Sequence, residues 1–414
     1  MKKIGTLALS FVFLVQGAVF GEVTMQDLRL PKGFYPAGQS PYASIVSVKD
    51  EPAAPGFLVF SLSSPDGVYT VHGLAALRKC LHEIDVLVQM KNNEGTGDGV
   101  AAGAVDSLKD TGTGLKNLAI HPVDSVSGIG KGIGKLGGKI GGAFRKKEEG
   151  EKTSASEGLL GSTKRDLAKK FGIDVYTRNE KLQERLNSMA KARMGGRGIV
   201  AVATFFVPAG LIASAVITVS NINNAADELV NDSDRADLFQ MNQKALMDLG
   251  FSKEKTVAFL NNPYYTPREQ TYMRFYLEKL KAAQGLEAVL DAATAATTEI
   301  PADKILHETQ IAADSVAEDS PALRVEVASE GLLVEKEKSV VMATAYDYLT
   351  ASPLSDQVEK KVLRFKKESG KSSAEIRNGG AVDSKWAAVL FLKGLRVQKM
   401  CLFSSTAGEK DPAV

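Results

Sequence analysis

The sequence predicts an α+β protein with a mainly helical centre, and three observations carry that expectation. Residues 22–72 hold two β-rich runs, "YASIVSVKD" and "GFLVFSLSS", split by the turn-forming "EPAAPG". Residues 159–298 carry almost continuous helical spacing. The last third alternates in strand periods and ends in a strand–helix–strand run, "SAEIRN", "VDSKWAAVLFLKG" and "LRVQKMCLF". The expected architecture is short N-terminal strands, a helical centre containing a buried apolar hairpin, and a small C-terminal α/β module.

The first residues read as a targeting segment. Lys2 and Lys3 precede an apolar run from Ile4 to Phe20, and Val19 and Gly21 are small enough for a signal-peptidase site. Residues 1–21 are therefore expected to be a signal peptide cleaved after Gly21. The competing reading is an uncleaved anchor, for which the run is short. The expected location is exported, periplasmic or extracellular, with membrane association open. With 51 basic and 49 acidic residues the net charge is +2, which argues against a nucleic-acid partner. The two cysteines, Cys80 and Cys401, invite a disulfide in an exported chain; two buried thiols are the alternative.

Element by element, "HGLAALRKCLHEIDVLVQMKN" places Leu74, Leu77, Leu81, Ile84 and Val88 in helical phase and predicts a helix with one buried face. Together with a further helical pattern at 91–123, it closes an N-terminal part spanning 22–123. Residues 124–158 hold a Gly/Lys-rich segment and a charged linker. The helical part, 159–298, is punctuated by local signals. Gly172 and Gly250 are helix-ending glycines. Thr177 with Glu180 reads as a capping box, as do Thr266 and Glu269 around Pro267. The α/β module spans 299–403, with a turn at Ser329–Gly331, an N-cap at Asp383 and a helix end at Gly394; residues 404–414 read as a disordered tail.

Two segments stand out. In "IGKGIGKLGGKIGGAF", residues 129–144, Ile133, Leu136, Ile140 and Phe144 share one side of a helical wheel and Lys131, Lys135 and Lys139 line another. That is the pattern of a helix lying on an anionic membrane surface. Its glycines each cost about 0.8–1 kcal/mol in a helix, so it would not be helical alone in water. A packed helix with a glycine face, a flexible loop and a membrane-contacting helix all stay open. The second segment, Gly198 to Ser220, holds no charge. Pro208 and Gly210 divide it into two halves, and Lys191, Arg193 and Arg197 precede it, against the charge rule for an exported span. A buried hairpin, a membrane-inserting hairpin and a conventional span are the readings.

Catalytic signatures were sought as residue patterns. The four histidines, His72, His82, His121 and His307, form no metal-binding pair, and "HETQ" lacks the second histidine of a zinc-protease helix. "GIGKGIGK" has no Ser or Thr after its lysines, so it is not a phosphate loop. Tyr264, Tyr265, Tyr272, Phe275 and Tyr276 form an aromatic patch whose helical spacing suggests core. No cofactor, metal or catalytic residue is assigned.

The stretches "HPVDSVSGIGKGIG", "KRDLAKKFGIDVYTRNEKLQERL", "FLNNPYYTPREQT" and "GLLV…AYDYL" resemble, in that order, an uncharacterised group of predicted exported bacterial proteins over roughly residues 120–350. The resemblance implies that the Gly/Lys-rich segment belongs to a wider folded pattern and implies no activity. The expected function is a non-catalytic binding or structural component of the bacterial envelope, with an envelope protein or an anionic membrane surface as partner. The alternatives are a membrane-active protein acting through the two unusual segments, and a hydrolase whose site the sequence does not reveal.

Overall fold

The computed structural model describes residues 42–51, 54–65, 67–92, 155–194, 221–317, 320–400 and 402. The segments read as a signal peptide (1–21), as a helical pattern beyond residue 92, as the Gly/Lys-rich stretch with Lys131, Lys135, Lys139, Ile133, Leu136, Ile140 and Phe144, as an apolar hairpin (198–220) and as a C-terminal tail (404–414), together with Cys401, lie outside the described residues.

The N-terminal strands form from alternating side chains. β1 (Ser44–Asp50) pairs antiparallel with β2 (Leu58–Ser64), and β3 (Gly67–His72) completes a three-stranded sheet. Leu58, Phe60 and Leu62 point inward from β2 at the strand period of two. Gly73, at φ 88°, then turns the chain into α1 (Leu74–Asn92).

α1 differs from the one-faced helix expected. Leu74, Leu77, Leu81, Ile84 and Val88 enter the principal core, as their spacing predicts. Val86, Leu87 and Met90, on the other side, enter a second core with Leu167, Phe171, Leu182 and Leu186. The cause is α2 (Ala155–Phe171) and α3 (Glu180–Met194), which pack on each other and cover that second face. α2 ends as expected at Gly172, φ 64°. α3 does not start as expected: Asn179 caps it, its Oδ1 accepting the Leu182 N–H at 3.2 Å. Thr177 sits two residues too early: its Oγ1 accepts the Asn179 N–H at 3.1 Å rather than the N–H of Glu180, while its hydroxyl donates to the buried Glu83 carboxylate on α1.

Five helices follow: α4 (Asn221–Asp232), α5 (Arg235–Asp248), α6 (Lys253–Leu260), α7 (Pro267–Lys279) and α8 (Leu286–Thr294). Asp234 and Ser252 cap α5 and α6 through the N–H groups of Asp237 and Lys255. α7 carries the full capping box: Thr266 accepts the Glu269 N–H, Glu269 returns to the Thr266 N–H, and Pro267 sits at the first position. Tyr265, Tyr272 and Tyr276 are buried core residues.

α9 (Glu299–Asp314) lies at the centre and was not singled out by the periodicity reading. Every residue from Ile305 to Ala313 is buried. It packs on α7 and α8 and against the main sheet. A helix buried all round presents no polar face, so it lacks the amphipathic stripe by which helices are usually read.

The C-terminal module is a mixed five-stranded sheet. β4 (Arg324–Ala328), β5 (Gly331–Glu335) and β6 (Ser339–Thr344) pair antiparallel in sequence; β8 (Ser373–Asn378) joins the other side of β6 in parallel, and β10 (Leu395–Lys399) joins β8 in parallel. The order is β10-β8-β6-β5-β4. β7 (Tyr348–Leu349) and β9 (Ala381–Val382) form a separate parallel pair. α8 and α9 cover one face of the large sheet. α10 (Pro353–Glu368) and α11 (Ser384–Leu392) cover the other, where Val358, Val362, Phe365, Trp386 and Leu390 pack on Val340, Met342 and Ile376. Asp383 caps α11 and Gly394 ends it at φ 74°, both as read from the sequence. The fold class is α+β, with the expected N-terminal strands and C-terminal sheet.

The two-faced packing of α1 has a direct test. Leu77→Ala and Leu87→Ala are each expected to cost about 2–5 kcal/mol in urea unfolding. A neutral Leu87→Ala would mean that the second face of α1 is not buried.

Candidate functional site

The N-terminal strands, the helical layer and the C-terminal sheet meet at a cluster of buried ionisable groups. Its first member is Asp347, placed between β6 and β7. Its Oδ2 accepts the Leu58 N–H and its Oδ1 the Leu74 N–H, both at 2.8 Å. One carboxyl therefore holds the start of β2 and the start of α1. The backbone beside it is clamped as well: the Asp347 N–H donates to Gly56 O at 2.9 Å, and the Ala381 N–H donates to Asp347 O at 2.8 Å.

Asn378, at the end of β8, supports this junction from below. Its Oδ1 accepts from the Thr344 hydroxyl at 2.9 Å and the Tyr346 N–H at 3.1 Å. Its Nδ2 donates to Tyr346 O at 3.0 Å and Ala381 O at 3.1 Å. All four hydrogen-bonding positions of this fully buried amide are filled, as burial demands.

A second group of charges surrounds the N-terminus of α7. Glu269 takes Lys79 from α1 at 3.3 Å and Arg178 from the α2–α3 connection at 3.2 Å. Arg178 also reaches Glu299 at the start of α9 at 3.1 Å. The Thr266 hydroxyl donates to Asp174 at 3.2 Å. The capping box thus serves two purposes: it starts α7 and anchors a junction between four segments of chain.

Between these groups lies a cleft lined by Phe57, His72, Asp303, Lys304, His307 and Asp347 among others. It encloses about 10 Å³, the room of a single water. Asp303 and His307 lie one turn apart on α9, and the His307 Nδ1–H donates to the Asp303 carbonyl at 2.7 Å. His72 Nδ1 stands 3.2 Å from Glu51 Oε2. Burial holds the His307 imidazole below its ordinary value, which favours the neutral ring.

The carboxyls of this region divide in two. Burial raises Asp347 to about 7, with its two N–H partners opposing. Burial and the neighbouring Glu269 charge raise Asp303 to about 7. Glu269 is equally buried, but Lys79, Arg178 and the Thr266 N–H overcome that and hold it down to about 2. The arrangement can take up protons near neutral pH at two positions while keeping a charged pair intact beside them.

Sequence reasoning did not find this cluster. Asp347 is the one charged residue of "MATAYDYL", and that isolated charge in an apolar run was its only signal. Lys79 and Arg178 gave none, since their partner lies far along the chain. Cys80 sits half-buried on α1, and burial pushes its thiol up to about 12. Its expected partner Cys401 is outside the described residues, but Arg78, two residues before Cys80, donates to Leu402 O at 3.0 Å. Among the described residues, no group of His, Cys, Asp or Glu is placed to hold a metal ion, and no helix is long and apolar enough to cross a membrane. No family model, curated protein or solved structure matches the chain.

Two measurements follow from this geometry. Asp303 and Asp347 bind their protons more tightly folded than unfolded, so their stabilisation is full below their ordinary value of 3.8 and is lost as pH rises through about 7. Glu269 acts oppositely: its stabilisation is full above 4.5 and is lost as pH falls through about 2. The melting temperature is expected to fall between about pH 4 and pH 7, and Asp303→Asn to flatten that fall. An unchanged slope in the variant would remove Asp303 as its source. Separately, Cys80 is a free thiol among the described residues, and peptide mass spectrometry of the non-reduced protein tests the bond to Cys401 expected from the sequence: a linked pair supports it and two free thiols refute it.

Proposed function

We propose that the protein is an exported component of the bacterial envelope that acts by binding or by structural support rather than by catalysis. The observation that carries this reading is the use made of the buried carboxyls. Asp347 gives one oxygen to each of two backbone N–H groups. Glu269 is shared among Lys79, Arg178 and the Thr266 N–H. A catalytic carboxyl needs a lone pair or proton aimed at a substrate. These groups aim at the chain itself, and the cleft beside Asp347 encloses about 10 Å³, the room of one water. They act as a clamp between layers.

Export rests on the basic and apolar N-terminus and on Val19 and Gly21. Fractionation of the host, with intact-mass measurement, is the test. The expected product begins at Glu22 and is recovered in the periplasmic, extracellular or membrane-bound fraction. A full-length chain in the cytoplasm would overturn the reading. The membrane-active alternative predicts dye leakage from anionic vesicles that is abolished by Lys131→Glu, Lys135→Glu and Lys139→Glu together.

A further inference from the structure

α11 has an unusual surface for a helix on the outside of a sheet. From Trp386 to Leu392 every residue is apolar. Only Trp386 and Leu390, one turn apart, are buried in the core against the sheet. Val389 is 50 % exposed, Phe391 64 % and Leu392 86 %. Lys385, Ala388, Val389 and Leu392 fall at i, i+3, i+4 and i+7, so they share the outward stripe. An outward stripe on a helix of this kind ordinarily carries charged or polar residues. The other large exposed apolar residues, such as Val46 on β1 and Met241 on α5, lie on other elements.

The charges that follow this stripe along the chain are positive: Lys385 on α11, Lys393 at its end, and Arg396 and Lys399 on β10. From Ser384 to Met400 there are four cations and no carboxylate. Lys385 and Lys393 are exposed at the two ends of α11. α10 lies beside it on the same face of the sheet, tied by Lys393 to Glu359 at 2.6 Å, and turns Lys360, Arg364 and Lys367 outward. The carboxylates nearby are Asp383, whose Oδ1 accepts the Trp386 N–H as the cap of α11, Asp356, Glu359, which Lys393 engages, and Glu368, which stands 3.5 Å from Arg364.

We infer that the outer face of α10 and α11 docks on an anionic lipid surface. Leu392 and Phe391 enter the acyl boundary, and Lys385, Lys393 and the outward cations of α10 meet the headgroups. Charge complementarity selects this occupant. A second copy of the chain would set the same cations against each other. The exposed side chains stand out from a helix rather than line a groove, which suits a soft interface more than a shaped protein partner. The inference deepens the envelope reading by naming a partner for a face that reading does not use.

The test is co-sedimentation of the purified full chain with phosphatidylglycerol-containing vesicles and with pure phosphatidylcholine vesicles. Binding to the anionic vesicles alone is expected, weakening as salt is raised. The double variant Phe391→Ser, Leu392→Ser should weaken it by about tenfold or more. Lys367→Glu with Lys385→Glu should do the same by a change that leaves the apolar residues in place. All four positions are on the surface, and circular dichroism of each variant checks that it folds. No binding to anionic vesicles would overturn the inference, and so would binding that both variants retain. Self-association without lipid, lost in the Phe391/Leu392 variant, would assign the face to a second copy instead. The vesicle result stands apart from the fractionation result: a cytoplasmic chain that binds through Phe391 would overturn the location and leave the lipid site.

Discussion

Two backbone N–H groups, from Leu58 and Leu74, lie in the interior and accept no substitute for the Asp347 carboxyl. A buried N–H left without a partner costs about 1–3 kcal/mol. The start of β2 and the start of α1 are therefore placed wherever Asp347 is placed. Two glycines make that possible by letting backbone come close. A Cβ on Gly380 would sit 2.1 Å from the Asp347 carbonyl oxygen, and one on Gly56 would sit 2.7 Å from the Tyr346 ring. Asn378 then fixes the Tyr346 and Ala381 backbone from the sheet side. The raised proton affinity of Asp347 is the cost of burying a carboxyl whose direct partners are two neutral N–H groups.

The helical layer solves the same problem with opposite charges. Glu269 has two cations and an amide, so it stays ionised in spite of burial. Asp303, beside it, bears the consequence, since a second negative charge there is unwelcome. α1 connects the two solutions. It begins at the Asp347 clamp, sends Lys79 to Glu269, and gives Glu83 to Thr177 on the way to the second core. One helix thus reports the state of all three parts of the molecule.

What was legible in the sequence was local. Helix ends written within a few residues, such as Thr266–Pro267–Glu269, Asp383 and Gly250, appear where their chemistry puts them, because a cap and its N–H are neighbours along the chain. Alternation revealed β2, and the order strand, helix, strand revealed the parallel pair β8 and β10. What failed was set by tertiary partners. Thr177 has the right spacing for a capping box, but its hydroxyl is held by the Glu83 carboxylate on α1 and accepts the Asn179 N–H, so the helix starts two residues later with Asn179 as its cap. α1 shows one stripe in phase because its second apolar face is shorter and interleaved with polar residues. α9 hides its period by being buried on every side. The candidate site was the least legible of all, since the contacts that assemble it join residues up to 289 positions apart.

That last separation has a consequence for how the molecule is made. A chain leaves the ribosome N-terminus first, and its early parts ordinarily fold as they emerge. Here β2 and α1 carry amide groups whose acceptor is synthesised more than 270 residues later. Until then the first sheet has its strands and its turn but not its anchor, and one edge of its apolar face has nothing to close on. The earliest segment made is thus among the last to be consolidated, so a chaperone that holds the unfinished chain would find its longest-lived exposed surface at the beginning.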